Sequence, residues 1–156
     1  MRNRAHRRPF ALWLLLALLL FLGVSSVICG GMLIAAPDGS LMQMPLSNLE
    51  HSPFASFLIP GLALFLFLGV YPLVVAYCLW TRPSWRWPQA LNPFHSMHWA
   101  WAASLAGGVI VLIWIVAEMI MLREAVFLHW FVLGWGLVLI ALTLLPAVSK
   151  EYKVQA

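Results

Sequence analysis

The sequence predicts an all-α membrane protein: a four-transmembrane-helix antiparallel bundle with both termini cytoplasmic and a short interfacial helix in the outer loop. Three observations predict this fold. The chain is 63% hydrophobic and only 9% charged, with a mean hydropathy of +0.93, whereas soluble domains contain about 25% charged residues. Four apolar segments are long enough to cross a bilayer. The basic residues lie almost entirely at one end of these segments.

Each of the four apolar segments has the length of a membrane-crossing helix, about 20 residues for a hydrocarbon core of about 30 Å. Backbone polar groups within lipid must pair inside their own segment, so helices are the expected form. The length of the chain predicts a single transmembrane domain, residues 1–156. The predicted spans are residues 10–36, 57–80, 98–122 and 125–146.

The basic residues predict the orientation through the positive-inside rule. Eight of the nine Lys and Arg residues fall on the side of the two termini, and only Arg123 falls on the opposite side. This arrangement predicts cytoplasmic termini and places positive charge beside anionic lipid headgroups. We therefore expect the lipid bilayer, and no nucleic acid, as a partner. The eight residues are Arg2, Arg4, Arg7, Arg8, Arg82, Arg86, Lys150 and Lys153.

The first span and the cysteines carry no sign of processing or of redox chemistry. The apolar run of span one is about twice the length of a signal-peptide core, so an uncleaved anchor is expected. Cys29 lies near the outer end of span one, and Cys78 lies near the inner end of span two. A rise of about 1.5 Å per residue separates them by most of the bilayer, beyond the reach of about 7 Å that a disulfide allows. No CxxC pair is present for thiol relay chemistry.

The outer loop, residues 37–56, is the longest stretch between spans. It opens with PDGS (37–40), a typical turn sequence. In MPLSNLEHSPF (44–54), Ser47 and Glu50 have the spacing of a capping box. This spacing predicts a short interfacial helix within the loop.

The two remaining connections are expected to lie at the membrane surface. The inner loop, residues 81–99, interleaves Trp and Arg, which is typical of the headgroup level. Only about two residues, Arg123 and Glu124, separate spans three and four. These two spans are therefore predicted to form a tight antiparallel hairpin.

Ionisable residues gather at the outer end of this hairpin. Glu118 lies four residues before the end of span three, and His129 lies four residues after the start of span four. Both are therefore predicted at a depth of about 6 Å, where an ionisable group is a functional hypothesis. Three interpretations are open: a cap on the hairpin, a ligand or proton-handling site, and a contact for a partner protein. The candidate site residues are Glu118, His129, Arg123, Asp38, Glu50 and His51.

The polar residues do not have the spacing of a metal or cofactor site. Histidine and carboxylate ligands suit Zn²⁺, and methionine suits Cu(I), but no HxxxH or CxxC spacing occurs. A b-type haem needs two histidines at one depth on different helices, which the spans do not supply. The serines at 25, 26 and 104 lack an acid–base partner for hydrolase chemistry. We therefore expect no metal, no cofactor and no catalytic residues.

Small residues and one proline indicate how the helices pack. Pro72 removes the backbone hydrogen bond to the Leu68 carbonyl, which predicts a kink in span two. Three pairs have the small-xxx-small spacing that lets membrane helices approach closely. These pairs are Ser26 with Gly30, Ala103 with Gly107, and Ser104 with Gly108.

Three stretches form a recognisable pattern: PDGS (37–40), SPFASFLIPGLALFLFLG (52–69) and WIVAEMIML (114–122). The pattern resembles a group of small bacterial four-span membrane proteins to which no activity is assigned. The resemblance covers most of residues 30–146 and implies four helices and a bacterial inner membrane. In that group a polar residue, often an amide, stands at the place of Glu118, which argues against a proton relay there.

Two functions follow as hypotheses. The first is a non-enzymatic accessory or interaction module of the bacterial inner membrane, which associates with a membrane protein partner or as a homo-oligomer through its small-residue helix faces. The second is a small-molecule binding or transport protein for a lipid, a quinone or a small solute, with Glu118 and His129 as polar anchors. The first predicts that Glu118→Gln is nearly silent and that Gly107→Leu disrupts assembly. The second predicts that Glu118→Gln or His129→Ala abolishes binding and leaves the fold intact.

Overall fold

The computed structural model describes residues 8–123 and 125–154. Within these ranges no β-strand occurs, and four helices are long and apolar enough to cross a membrane. This confirms the all-helical class with four such helices. Three of the basic residues used for the predicted orientation, Arg2, Arg4 and Arg7, lie outside the described ranges. The four helices are α1 (Phe10–Ala35), a second spanning helix (Leu58–Thr81), α5 (Trp99–Leu122) and α6 (Phe127–Leu144).

The second spanning helix changes its hydrogen-bonding pattern along its length. It consists of α2 (Leu58–Ala63), a seven-residue π-helical segment (Leu64–Val70) and α3 (Tyr71–Thr81). A π-helical segment shifts the backbone ladder to i→i+5 bonding. It ends at Val70, two residues before Pro72, which has no N–H to donate. The proline that predicts a kink is thus preceded by an altered backbone.

Glycines bring α1 and the second spanning helix into backbone contact. A Cβ on Gly30 would stand 2.7 Å from the backbone nitrogen of Phe65 and 2.9 Å from the carbonyl oxygen of Gly61. A Cβ on Gly69 would stand 2.8 Å from Cγ2 of Val27. Carbon atoms normally pack about 3.5–4.0 Å apart. Only glycine therefore fits at these positions without moving the helices apart.

The end of the bundle where α1 begins and α6 ends is called the inner end, after the predicted orientation, and the opposite end is called the outer end. Hydrogen bonds join α5 and α6 near the inner end. The Thr143 hydroxyl donates to the Leu139 carbonyl at 2.8 Å, so the Ser104 hydroxyl, 2.9 Å away, is the donor to Thr143 Oγ1. Trp101 Nε1 donates to the Thr143 carbonyl at 2.7 Å. Ser104 and Thr143 are completely buried. These bonds satisfy polar groups that would otherwise be costly to bury.

Three of the glycines that the small-xxx-small spacing identifies, Gly30, Gly107 and Gly108, lie against other helices of the same chain. Gly107 lies against the ring of Tyr71, where an added Cβ would stand 3.3 Å from Cε1. The Tyr71 hydroxyl donates to the Ala103 carbonyl at 2.8 Å. An added Cβ on Gly108 would stand 2.5 Å from Cγ1 of Ile140. Ala103 is partly buried, and the others are buried: Ser26, Gly30, Ser104, Gly107 and Gly108.

The outer loop contains two short 3₁₀ turns, Ser40–Met42 and Leu46–Leu49. The second turn begins after Pro45 and has Ser47 inside it, with no side-chain cap. The predicted capping box is therefore not formed, because Ser47 does not occupy the N-cap position. Phe57 is 2% exposed and packs on the outer end of α1, which fixes the loop to the bundle.

The turn between α5 and α6 is longer than predicted. Arg123, with a left-handed φ of 52°, ends α5, and α6 begins only at Phe127. Val126 is the extended N-cap residue, and its backbone N–H donates to Nδ1 of His129 at 3.1 Å. Glu124 lies outside the described residues. The predicted two-residue turn is therefore wrong, and the reason is the cap that His129 supplies to α6.

Short elements close the inner end of the bundle. The segment after α6 turns back toward the inner loop, where Met97 and Lys153 form an isolated antiparallel β-bridge. A backbone bond of 2.9 Å from Val154 N–H to the Ser96 carbonyl extends this pairing. The elements are α4 (Arg86–Ala90), α7 (Pro146–Ser149) and a 3₁₀ turn (Lys150–Tyr152).

Candidate functional site

Glu118 on α5 and His129 on α6 both lie at the outer end of the α5–α6 hairpin. The Glu118 carboxylate is partly buried and lies within range of electrostatic interaction with His129. It also approaches the side chain of Trp114, one helical turn earlier. His129 is 6% exposed and is one of the few buried polar residues. The pair is therefore an ionisable site with one buried residue and one partly buried residue.

The cap on α6 determines which nitrogen of His129 is free. Nδ1 accepts the hydrogen bond from Val126 N–H. A neutral imidazole that accepts at one nitrogen carries its proton on the other, so Nε2–H is the donor of this ring. The pair of His129 and Glu118 thus combines one ring donor with a carboxylate acceptor. Such an arrangement can hold a proton or bind the polar end of a small molecule.

The other four predicted site residues, Arg123, Asp38, Glu50 and His51, are exposed. Asp38 Oδ1 accepts bonds from the backbone N–H and the hydroxyl of Ser40 at 3.1 and 2.8 Å, which lower the pKa of this carboxyl. These bonds close the PDGS turn. Within residues 8–123 and 125–154, none of the four forms a hydrogen bond or ion pair with the buried Glu–His pair.

Metal-binding and thiol groups are sparse in the described part of the chain. No group of three or more His, Cys, Asp or Glu side chains that could hold a metal ion occurs there. Cys29 and Cys78 are both free thiols, and Cys78 is buried. The chemistry of the outer site therefore depends on the Glu–His pair.

A second polar cluster lies at the inner end and was not predicted. Arg8 Nη2 donates to the Trp80 carbonyl at 2.9 Å, and its guanidinium carbon lies 4.0 Å from the centre of the Trp80 ring. Trp13 packs on the same Trp80 side chain, and the centroids of the two rings are 5.0 Å apart. The start of α1 is thereby fixed to the end of α3. Cation–π contacts of this kind contribute about 0.5–1 kcal/mol at exposed sites.

Tyr152 is the centre of this inner cluster. It is 1% exposed, and its hydroxyl donates to the Leu79 carbonyl at 2.6 Å. The guanidinium carbon of Arg82 lies 4.6 Å from the centre of the Tyr152 ring. Nη2 of Arg82 also donates to Glu151 Oε2 at 2.9 Å. Burial raises the pKa of the Tyr152 phenol. One feature of the sequence could have indicated this cluster: Glu151 is the only acidic residue in the segments predicted to lie on the inner side.

His98 caps the start of α5. Its Nδ1 accepts a bond from the Ala100 N–H at 3.1 Å. Burial lowers the pKa of His98 below its ordinary value of 6.5. A hydrogen bond to the Pro83 carbonyl raises this pKa in part, and the nearby Arg82 cation lowers it. The neutral ring that the cap needs is therefore favoured.

The four long apolar helices define a small multi-pass α-helical membrane protein. Comparisons of the chain with protein-family models, curated proteins and solved structures give no match. Its function is therefore argued from its own residues.

Proposed function

We propose that this protein is a non-enzymatic accessory module of the bacterial inner membrane that associates laterally with a second transmembrane helix. The single observation that carries the proposal is a groove between α1 and α6, with a volume of about 500 Å³. Its walls come from leucines of α1 and from aromatic and small residues of α6. They include Leu14, Leu18, Trp130, Phe131, Gly134 and Trp135.

The glycine in this groove supports a helix as its occupant. A Cβ on Gly134 would meet nothing within 4 Å, so packing within the chain does not require glycine there. Glycine in a helix interior costs about 1 kcal/mol relative to alanine. A small residue on an outward face allows a neighbouring membrane helix to approach closely. Gly134 therefore has a physical role if a second helix occupies the groove.

Trp135, which lines the same groove, carries an unpaired donor. Nε1 of Trp135 is buried and has no hydrogen-bond acceptor in the described part of the chain. Trp135 lies eight residues into α6, at a depth of about 12 Å, where lipid offers no acceptor and unpaired polar groups are costly. Because the nitrogen is buried, a hydroxyl or amide side chain on a neighbouring helix can accept its hydrogen bond only after the Trp135 side chain turns toward the groove.

The proposed orientation places both termini in the cytoplasm. Five described basic residues lie at the inner end, whereas Arg123 lies alone at the outer end. This asymmetry supports cytoplasmic termini under the positive-inside rule. The five residues are Arg8, Arg82, Arg86, Lys150 and Lys153.

Gly134→Leu tests the lateral association. The added side chain fills the groove and is expected to displace the partner helix without a clash inside the chain. The measurement is native mass spectrometry of protein gently extracted from its own membrane. Wild type is expected in a complex, either with a second protein or as an oligomer, and Gly134→Leu is expected as a monomer. Gly31→Leu is the matched control, because a Cβ there also meets nothing. A monomeric wild type, or a complex that survives Gly134→Leu, contradicts the proposal.

The partly buried Glu118 and the buried His129 favour a second candidate, a small-molecule site under the outer loop. In this case wild type extracted in the same way retains a bound small molecule, and Glu118→Gln loses it with an unchanged unfolding temperature. His129→Ala is a less specific test, because it also removes the cap of α6, which costs about 1 kcal/mol. A wild-type protein without a bound molecule, or retention by Glu118→Gln, argues against this candidate.

A further inference from the structure

A second groove lies at the inner end of the bundle, between α4 and the outward side of α5. It has a volume of about 530 Å³, and its walls are almost entirely apolar. One wall is formed by α4 and the residues that follow it, and the other is formed by the first three turns of α5. The lining includes Trp87, Leu91, Phe94, Ala102, Ala106 and Ile110.

Hydrogen bonds hold the wall formed by α4 in place without any ligand. Gln89 Oε1 accepts from the Trp99 N–H at 2.9 Å, and Gln89 Nε2 donates to the Met97 carbonyl at 3.2 Å. Asn92 is 4% exposed, and its Nδ2 donates to the same Met97 carbonyl at 2.8 Å. Trp85 stacks on Trp99 with ring centroids 5.5 Å apart. The groove is therefore preformed, and its polar groups are already paired.

The dimensions of the groove match one leaflet of a bilayer. From Trp99 to Ile110, the helical rise amounts to about 16 Å, about half of a hydrocarbon core of about 30 Å. The groove begins at Trp87, which is 70% exposed and belongs to a residue type that is enriched at the headgroup level. The small side chains of Ala102 and Ala106 leave room along α5. A transmembrane helix of another protein would cross the whole bilayer, about twice the length of this groove.

A positive charge lies one residue before Trp87, which lines the groove. Arg86 is the first residue of α4, next to Trp87, and is exposed. Among the described residues it forms no ion pair. Cations at this level attract anionic lipid headgroups. We propose that this groove binds an anionic phospholipid of the inner leaflet, with one acyl chain along α5 and the headgroup phosphate at Arg86.

Native mass spectrometry with defined lipids tests this site. The purified full-length protein is incubated with equal amounts of phosphatidylglycerol and phosphatidylcholine in detergent. Wild type is expected to retain one lipid, with phosphatidylglycerol preferred about fivefold, the ratio that one surface cation provides. Arg86→Gln is expected to keep the lipid and lose the preference. Arg123→Gln, an exposed arginine at the opposite end, is expected to behave like wild type.

A groove-filling variant separates this site from general lipid contact. Ala106→Trp is expected to lose the retained lipid, whereas Ala117→Trp, at another exposed position of α5, is expected to keep it. Gly134→Leu is also expected to keep it, so this test is independent of the lateral association proposed above. The proposal is overturned if wild type retains no lipid, if Ala106→Trp retains as much as Ala117→Trp, or if Ala106→Trp removes a protein subunit instead of a lipid.

Discussion

Gly30→Leu is expected to be among the most destabilising substitutions in this protein. The first added carbon would stand 2.7 Å from the Phe65 backbone nitrogen and 2.9 Å from the Gly61 carbonyl oxygen. Backbone atoms cannot rotate away as a side chain can, so α1 and the second spanning helix must separate. Overpacking costs about 1–3 kcal/mol and occasionally more, and we expect about 3 kcal/mol or more here. Thermal unfolding in detergent, followed by tryptophan fluorescence, is expected to show a midpoint about 10 °C lower.

The next residue provides the matched control for this prediction. A Cβ on Gly31 would meet nothing within 4 Å, and leucine has a higher helix propensity than glycine. Gly31→Leu is therefore expected to unfold at the wild-type midpoint or slightly above it. If Gly30→Leu and Gly31→Leu lower the unfolding midpoint equally, or if neither lowers it, Gly30 does not make this close contact with the second spanning helix.

The four spanning helices were predictable because the membrane constrains every residue of a span. A helix in lipid must be apolar over its whole length, and this signal does not depend on any other part of the chain. The observed bounds differ from the predicted ones by no more than two residues. The largest differences are at α6, where the cap from His129 moves the start to Phe127. A cap depends on side-chain geometry, which hydropathy does not report.

Which side of each helix faces its neighbours was harder to predict. In lipid, the inward and the outward residues are both apolar, so no amphipathic period separates them. The small-xxx-small spacing identified Gly30 and Gly107, but it missed Gly61 and Gly69, which contact α1 just as closely. Gly31 has the same spacing with Ala35, although only Gly30 is buried between helices.

The outer site was predictable in part because it depends on depth along two neighbouring helices. The rise per residue places Glu118 and His129 at one level, and the structure brings them within electrostatic range. Arg123 does not join them, since it takes the left-handed conformation that ends α5. The inner cluster was missed because Arg82 and Glu151 are far apart in sequence. Their contact requires the C-terminal segment to fold back, which no local pattern encodes.

Tyr152→Ala is expected to detach this C-terminal segment from the bundle. The substitution removes a ring that is 1% exposed, leaves the Leu79 carbonyl without its donor, and removes the aromatic face under Arg82. Replacing a buried aromatic ring by alanine costs about 3–5 kcal/mol. The expected result is a lower unfolding midpoint together with faster tryptic cleavage after Lys150 and Lys153, because both residues belong to the released segment.

Two further variants separate the ring from its hydroxyl and from general effects of losing a tyrosine. Tyr152→Phe keeps the ring and loses one hydrogen bond, so a loss of about 1 kcal/mol is expected. Tyr77→Ala removes a tyrosine that is 61% exposed on α3, and a change within about 0.5 kcal/mol is expected. Because trypsin cleaves after the same lysines in all three variants, the rates are directly comparable. If Tyr152→Ala is cleaved no faster than Tyr77→Ala, the segment is not held by this ring, and the bond to Leu79 does not anchor it.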